Sequence, residues 1–182
     1  MTPLRSRALP RLIIFASRRL YCTTPVFIDH GTFKRKDLHF HLCEPGDLKR
    51  KPDWATDSLK FGHVFSDHML TIKWNQALGW GKPKIQRFAN LSFHPAAKVL
   101  HYAIELFEGM KAYRGIDNQI RMFRPELNAR RMIRTAERSG LPSFDEAELI
   151  DCIEKLIQID REWVPYSSTG SLYIRPTFIG TG

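Results

Sequence analysis

Two residues near the end of the chain have the types and spacing of a carboxylate-binding pair. Tyr173 and Arg175 stand two positions apart in the alternating segment 171–176, so they share one face of a predicted strand. An arginine can hold a carboxylate with a fork of two hydrogen bonds, and a nearby tyrosine hydroxyl can add a third. Taken alone, however, the pair fits better with a surface arginine beside a core tyrosine.

Arg131 is a candidate for binding a phosphate group, because a guanidinium pairs bidentately with phosphate oxygens. It lies in a predicted helix, on a stripe that Arg134 and Arg138 continue. By itself, such a stripe is more typical of a helix face in solvent than of an anion site.

The remaining chemical candidates are weaker. Phe61, Tyr102 and Phe107 are by default core or surface aromatics. His39 and His41 would share one strand face, but no third ligand lies nearby in sequence, so we do not expect a metal site. The sequence has no glycine-rich phosphate loop, no zinc-binding spacing and no nucleophile with an identifiable base.

The segment from Leu100 to Gly115 is expected to organise the fold around these groups. Its first part predicts a helix from apolar residues at three- and four-residue spacing: Val99, Leu100, Ala103, Leu106 and Phe107. Gly109 then breaks the pattern, and a strand follows in which Met110, Ala112 and Arg114 share one side. A glycine at such a joint permits a backbone angle or a close approach that a side chain would block.

Short strands and two longer helices are predicted around that segment. The predicted strands cover 69–74, 85–88, 91–93, 120–124 and 171–176. Pro95 is expected to open the helix of the central segment, and Pro125 to begin a helix that Gly140 ends. That helix buries Ala129, Met132, Ile133 and Ala136. The spacing from Ser143 to Glu146 predicts a capping box for the next helix.

The first 28 residues are typical of a mitochondrial transit peptide. They hold five arginines and no acidic residue, and thus five of the nine net positive charges of the chain. Leu12–Ala16 is too short an apolar run for a secretory core or a membrane span. Since Arg19 to Tyr21 resembles a processing site, we expect residues 1–21 to be removed in the mitochondrial matrix, leaving a mature start near Cys22.

The rest of the composition excludes several classes of protein. The three cysteines, Cys22, Cys43 and Cys152, are far apart and predict no disulfide framework. The basic triplets at 34–36 and 49–51 lack interleaved aromatics, so we predict solvated turns and no nucleic-acid or membrane partner. The chain ends at Gly182, directly after the apolar run 177–180, and we therefore expect 177–182 to be the truncated start of an interdomain segment.

Five separated blocks resemble the branched-chain amino acid aminotransferases, in particular the mitochondrial ones. The resemblance runs from about Leu59 to the C-terminus, in order and with family-like spacing. The blocks are Phe61-Gly62 through Asp67-His68-Met69, Leu100-His101-Tyr102 through Phe107-Glu108-Gly109-Met110-Lys111, Phe123-Arg124-Pro125 through Asn128-Ala129-Arg130-Arg131, Leu141-Pro142-Ser143-Phe144, and Ser171 through Pro176.

The resemblance implies the type IV fold of pyridoxal-phosphate enzymes, a homodimer, and transfer of the amino group of leucine, isoleucine or valine to 2-oxoglutarate. Residues 59–176 would form the small α+β domain, an antiparallel-rich sheet with flanking helices, after an N-terminal extension at 22–58. Arg131 matches the arginine that holds the phosphate of pyridoxal 5′-phosphate.

The same resemblance assigns the substrate pocket. Tyr173 and Arg175 match residues that handle the substrate carboxylate and its surroundings. Phe61, Tyr102 and Phe107 match aromatics that wall the pocket for a branched side chain, and the counterpart of Tyr102 reaches into the site of the partner subunit.

The chain departs from the family in one decisive respect. The resemblance places the Schiff-base lysine in the family's second domain, and we expect the 182 residues to end before it. The acidic partner of the pyridine nitrogen and the family's redox Cys-x-x-Cys are likewise not found in these residues. Lys111 is no convincing substitute, since an exposed strand position is its simplest assignment. We therefore expect the 182-residue chain to be inactive alone. Another type IV enzyme, or a non-catalytic isoform that binds full-length subunits, stays open as an alternative.

Overall fold

A computed structural model of the chain describes residues 31–54, 56–57 and 60–181. The predicted transit peptide, the processing site, Cys22 and Leu59 lie outside these residues.

Three α-helices and ten short strands make up the described part of the chain. The helices are α1 (Lys98–Tyr102), α2 (Pro125–Arg138) and α3 (Glu146–Ile159). The strands are β1 (His39–His41), β2 (His68–Thr71), β3 (Trp74–Asn75), β4 (Gly79–Trp80), β5 (Lys84–Arg87), β6 (Glu105–Phe107), β7 (Met110–Arg114), β8 (Ile120–Met122), β9 (Leu172–Ile174) and β10 (Thr177–Ile179). Short 3₁₀ segments lie at Arg35–Asp37, Pro45–Asp47 and Arg161–Trp163.

The strands form four small sheets in the described residues, and all but one of the pairings are antiparallel. Their orders are β1-β5-β2, β3-β4, β10-β6 and β8-β7-β9, and only β1 and β5 run parallel. Helices α2 and α3 pack on each other, and their buried faces share one core with β6 and β7. The expected α+β class, antiparallel-rich with flanking helices, is confirmed.

At the centre of the molecule, the consecutive strands β6 and β7 pair with the consecutive strands β10 and β9. As a result, the segment that connects β6 to β7 (the joint 107–110) runs beside the segment that connects β9 to β10 (the joint 174–177). The N–H of Glu108 donates to the carbonyl of Pro176 at 2.9 Å and ties the two joints together. Side chains from both joints therefore meet in one place.

The predicted helix through Phe107 is wrong beyond Tyr102. Helix α1 ends because Ala103 adopts a left-handed conformation, with φ 50° and ψ 36°. Residues 105–107 then form β6, whose partner lies about seventy positions later in the chain. The apolar spacing does not mark one buried face, since Leu106 is buried whereas Leu100 and Phe107 are exposed. A long-range strand pairing has overridden a local periodicity.

Several smaller expectations also need correction. The predicted strand at 69–74 is split, because β2 pairs with β5 whereas β3 pairs with β4. No strand forms at 91–93, where the described residues offer no partner ladder. Helix α1 begins after Ala97, not at Pro95. Asp145, not Ser143, caps α3, because its carboxylate accepts the N–H of Glu148 at 3.0 Å.

Other expectations are confirmed. Pro125 is the first residue of α2, and the helix buries Ala129, Met132 and Ala136, whereas Ile133 is only half-buried. Along β7 burial alternates, with Met110, Ala112 and Arg114 inside and Lys111 and Tyr113 outside. The turn before β8 is closed by two hydrogen bonds between Gly115 and residues 118 and 119.

Residues on both sides of the predicted small domain join its architecture. Phe33 is buried in the main core, and β1 adds a parallel strand to β5. At the other end, β10 pairs with β6, and the Gly180 N–H donates to the carbonyl of Ile104. The predicted boundaries at 59 and 176 thus have strand pairings across them.

Candidate functional site

Four of the six predicted site residues lie together at the two central joints. The Arg175 Nη2 donates to the Tyr173 hydroxyl oxygen at 2.8 Å. The guanidinium of Arg175 also lies over the ring of Phe107, 4.3 Å from its centroid. The ring of Phe61 meets the ring of Tyr173 edge-on at 5.0 Å. The cluster therefore presents one cation and one hydroxyl between two aromatic rings.

Gly109 allows the tyrosine to approach the backbone. A Cβ at position 109 would overlap the Tyr173 hydroxyl oxygen and would lie 3.0 Å from the Cζ of the same ring. The chain therefore needs a glycine here for close approach, which the sequence pattern had allowed as one of two reasons.

Arg131 lies on α2 and binds the residue between Phe107 and Gly109. Its Nε donates to Glu108 Oε1 and its Nη2 to Glu108 Oε2, both at 2.6 Å, in a bidentate ion pair. The Glu108 side chain is only 5% exposed, whereas the Arg131 side chain is 57% exposed. Sequence reasoning missed this pair, although Glu108 stood in one of the resembling blocks.

The protonation state of Glu108 follows from its hydrogen bonds. Burial would raise the pKa of this carboxyl, but hydrogen bonds from Arg131, Asn128 and the Gly109 N–H outweigh burial and hold the pKa below its ordinary value. The same pair raises the pKa of Arg131. Both groups are therefore charged at neutral pH, and the ion pair is permanent under physiological conditions.

One edge of the Arg131 guanidinium stays open to an anion. Glu108 takes Nε and one N–H of Nη2, and Nη1 donates to no residue in the described part of the chain. A guanidinium has five N–H donors, so an oxyanion can still be bound through Nη1 and the second N–H of Nη2. The predicted phosphate role and the observed ion pair are therefore compatible.

Tyr102 is not brought into the cluster. It is the last residue of α1, it is 74% exposed, and its ring lies 6.3 Å from that of His101. Lys111 is exposed, as expected, and stands opposite Tyr173 in the β7–β9 ladder. It makes no hydrogen bond to the cluster in the described residues.

A second set of buried polar groups lies away from this cluster, and sequence reasoning assigned it no role. The ring Nδ1 of His68 is 2.7 Å from Asp160 Oδ1, and the N–H of His68 donates to Asp160 Oδ2 at 3.0 Å. The N–H of Cys43 donates to His68 Nε2 at 3.0 Å, which places the ring proton on Nδ1. His68 and Asp160 are 92 positions apart, so no local pattern could have paired them.

The residue before His68 belongs to the same set. Asp67 accepts hydrogen bonds from Lys51 Nζ at 2.7 Å, Trp163 Nε1 at 2.8 Å and the N–H of Lys49 at 2.9 Å. Burial would raise the pKa of Asp67, but these hydrogen bonds outweigh it and lower the pKa. Every charged group in this set, which we call the buried histidine cluster, has internal partners.

The described residues contain no group of three or more His, Cys, Asp or Glu side chains placed to hold a metal ion. No helix in that part of the chain is long and apolar enough to cross a membrane.

Comparison with known proteins found close sequence relatives. No protein-family model matches the chain. The cytosolic branched-chain-amino-acid aminotransferase of Mus musculus is 58% identical over 167 residues, which are 88% of this chain and 42% of that protein. The mitochondrial enzyme of Bos taurus is 50% identical over 150 residues, which are 82% of this chain and 37% of that protein.

The solved structures that resemble the chain include the branched-chain amino acid aminotransferase of Escherichia coli. That match has 26% identity and a TM-score of 0.44, and covers 53% of this chain and 30% of the bacterial one. The chain thus spans about two fifths of the length of the curated relatives it matches.

Proposed function

The homologues of this chain are branched-chain amino acid aminotransferases, and from that premise we propose that the full-length protein is a pyridoxal-phosphate-dependent transaminase. It transfers the amino group of leucine, isoleucine or valine to 2-oxoglutarate. The observation that carries the proposal is the convergence of Tyr173, Arg175, Phe107 and Arg131 on the two central joints.

Tyr173 and Arg175 hold the substrate carboxylate. The guanidinium supplies charge, and the hydroxyl supplies a hydrogen bond whose direction is set by its contact with Arg175. Phe61 and Phe107 flank this pair and offer apolar surface to a branched side chain. Such an enclosure discriminates aliphatic side chains by desolvation, at roughly 1–3 kcal/mol per methylene.

Arg131 holds the cofactor phosphate through the edge that Glu108 leaves open. When bound, pyridoxal 5′-phosphate supplies the electron sink that amino transfer requires. The donor set fits the phosphate, because a guanidinium with one free edge and a charge fixed by its ion pair is a suitable phosphate ligand.

The lysine that attaches the cofactor comes from outside the described residues. An attacking amine must be desolvated and aimed at its target. Lys111 is exposed, and no lysine of the described part hydrogen-bonds to Tyr173, Arg175 or Glu108. We therefore expect the 182-residue chain, purified alone with pyridoxal phosphate, to show no leucine-dependent formation of glutamate.

Tyr102 acts in the site of a partner subunit of a homodimer. Its exposure supports this assignment, and so does its ring contact, which among the described residues is with His101 and not with the cluster.

We propose that the protein is located in mitochondria. This localisation rests on the arginine-rich segment 1–28, which contains no acidic residue. The relatives leave the compartment open, since cytosolic relatives are 57–60% identical and mitochondrial ones 49–50%. Residues 1–28 fused to a fluorescent protein should enter mitochondria, and a fusion with Arg5, Arg7 and Arg11 changed to Gln should stay in the cytosol. A diffuse signal from the native fusion would contradict the assignment.

The activity itself is tested with the full-length protein. We expect leucine-dependent glutamate formation from 2-oxoglutarate, and a rise of at least tenfold in KM for leucine in Arg175→Gln. Arg138→Gln, at the exposed end of α2, is the control and should behave as the parent. Activity with D-amino acids but none with leucine would favour another type IV enzyme.

A further inference from the structure

We propose that Glu108 is a positioning residue that fixes the Arg131 guanidinium so that its open edge faces the cofactor phosphate. This inference rests on the proposed function above, because it needs Arg131 to bind a phosphate. It assigns a role in binding to a carboxylate that touches neither cofactor nor substrate.

The geometry of the ion pair sets the orientation of the guanidinium plane. Two hydrogen bonds of 2.6 Å, from Nε and Nη2, hold the plane along the Glu108 carboxylate. With that edge occupied, only Nη1 and the outer N–H of Nη2 point away from the acid. An arginine in water samples many rotamers, and holding it in one of them removes an entropic cost from anion binding.

Glu108 is itself held from three sides. Its Oε2 accepts from the Gly109 N–H at 3.3 Å and from Asn128 Nδ2 at 3.2 Å. Asn128 also donates to the carbonyl of Gly109 at 2.9 Å, which fixes its amide. The backbone N–H of Glu108 donates to Pro176. The carboxylate is thus a rigid reference point, and Arg131 is the movable partner.

The same joint positions the substrate pair. Phe107 packs under Arg175, and Gly109 lets Tyr173 approach. Three consecutive residues, which we call the positioning joint (107–109), therefore each contact one of the three polar side chains assigned to cofactor and substrate. Glu108 therefore holds Arg131, the proposed phosphate ligand, in a fixed position relative to Tyr173 and Arg175, the proposed ligands of the substrate carboxylate.

A neighbouring ion pair provides a matched control. Arg130 binds Glu146 in the same bidentate way, with Nε–Oε2 2.7 Å and Nη2–Oε1 3.0 Å. Neither partner of that pair is buried, since the Arg130 side chain is 59% exposed and the Glu146 side chain 32%, and Arg130 lies one helix position away, facing α3. It has the chemistry of the Glu108 pair without the buried anchor or the contact with the positioning joint.

The test measures phosphate preference in the full-length protein, defined as the dissociation constant of pyridoxal divided by that of pyridoxal 5′-phosphate. Both constants come from absorbance titrations without substrate. We expect Glu108→Gln to lower this ratio about tenfold, because glutamine cannot accept both N–H groups of the fork. Glu146→Gln should leave the ratio within twofold of the parent. A ratio that is unchanged or raised in Glu108→Gln would overturn the inference.

A double variant separates positioning from general damage. In Arg131→Ala the ratio should fall, and adding Glu108→Gln should lower it no further, since the acid acts only through the arginine. An additional fall of equal size in the double variant would mean that Glu108 has a structural role only. An unchanged ratio in Arg131→Ala would instead contradict the proposed phosphate site, which keeps the two failures distinct.

Asn128→Ala covers the case in which Glu108→Gln does not fold. It removes one support of the carboxylate and keeps the ion pair. We expect a two- to threefold fall in the ratio in the parent background and none in Arg131→Ala. No fall in the parent background would count against the inference.

Discussion

Glu108 and Asp160 are both buried acids, yet their surroundings differ in one respect. Glu108 is paired with Arg131, whose side chain is more than half exposed and keeps free N–H donors. Asp160 is paired with His68, which is itself buried and uses both ring nitrogens internally. The first acid presents a cation to solvent, whereas the second is enclosed with its partner.

The difference indicates which buried charge belongs to a site. A carboxylate whose partners are all internal contributes to stability and leaves nothing for a ligand to bind. A carboxylate that anchors a half-exposed cation prepares a donor for something outside the protein. The buried histidine cluster is of the first kind, although a His–Asp contact of 2.7 Å resembles a catalytic pair at first sight.

The largest expected effect is on stability, in the buried histidine cluster. Asp160→Ala leaves the N–H and the Nδ1–H of His68 buried without an acceptor. We expect the free energy of unfolding to fall by on the order of 3–5 kcal/mol. Urea denaturation of the full-length protein measures this, with Asp151→Ala on the exposed face of α3 as control. If the free energy of unfolding fell by less than about 1 kcal/mol, Asp160 would not be the purely stabilising acid that distinguishes it from Glu108.

A smaller effect is expected from alkaline pH at Cys152, which is also enclosed. Burial, followed by the charges of Glu148 and Asp151, raises the pKa of the Cys152 thiol to about 11. Because the folded state disfavours the thiolate, stability is constant below the unfolded pKa near 9 and falls as the pH rises towards 11. The loss should reach about 2–3 kcal/mol.

Denaturation at pH 8, 9 and 10.5 tests this dependence at Cys152. Cys152→Ala is the control and should lose the pH-dependent part of the change. An equal slope in both proteins would assign the alkaline loss to other groups.

The next effect separates binding from stability at the positioning joint. Gly109→Ala should push the Tyr173 hydroxyl out of place and raise the KM for leucine about tenfold, which corresponds to about 1.4 kcal/mol. Stability should change little, because the displaced group is the end of a side chain. Gly46→Ala, where a Cβ would meet no atom within 4 Å, is the control. In a Tyr173→Phe background the Gly109→Ala change should cost less, and an equal cost there would exclude the overlap as the cause.

The smallest effect is expected at the exposed ion pair. Glu146→Gln should change the free energy of unfolding by at most about 0.5 kcal/mol, because surface ion pairs contribute little. Thermal unfolding of the variant beside the parent is sufficient. A loss of more than about 1 kcal/mol would contradict the small contribution expected of a surface ion pair.

Local patterns predicted the elements whose reasons are local. Helix α2 follows from Pro125 and its buried stripe, and the shared face of Tyr173 and Arg175 follows from strand alternation. The left-handed end of α1 at Ala103 was not predictable, because it depends on β6 pairing with β10.

The same limit applies to the candidate site. The sequence supplied Arg131, Tyr173 and Arg175 individually, and the resemblance supplied their roles. Their convergence depends on the Glu108 ion pair and on the contact at Gly109, which join residues 23 and 64 positions apart. Periodicity reports which face of one element is buried. It contains no information about which distant element will lie against that face.

The pairing of β6 and β7 with β10 and β9 also sets an order in time during synthesis. Ribosomes add about 5–20 residues per second, so β6 and β7 are made roughly 3–15 seconds before their partners. During that interval Glu108 can already meet Arg131, which follows 23 positions later, whereas Arg175 and Tyr173 do not yet exist. The nascent chain can thus form the Glu108–Arg131 ion pair first, while the edge of β6 that later pairs with β10 is still unpaired. That edge is where a ribosome-bound chaperone would be needed.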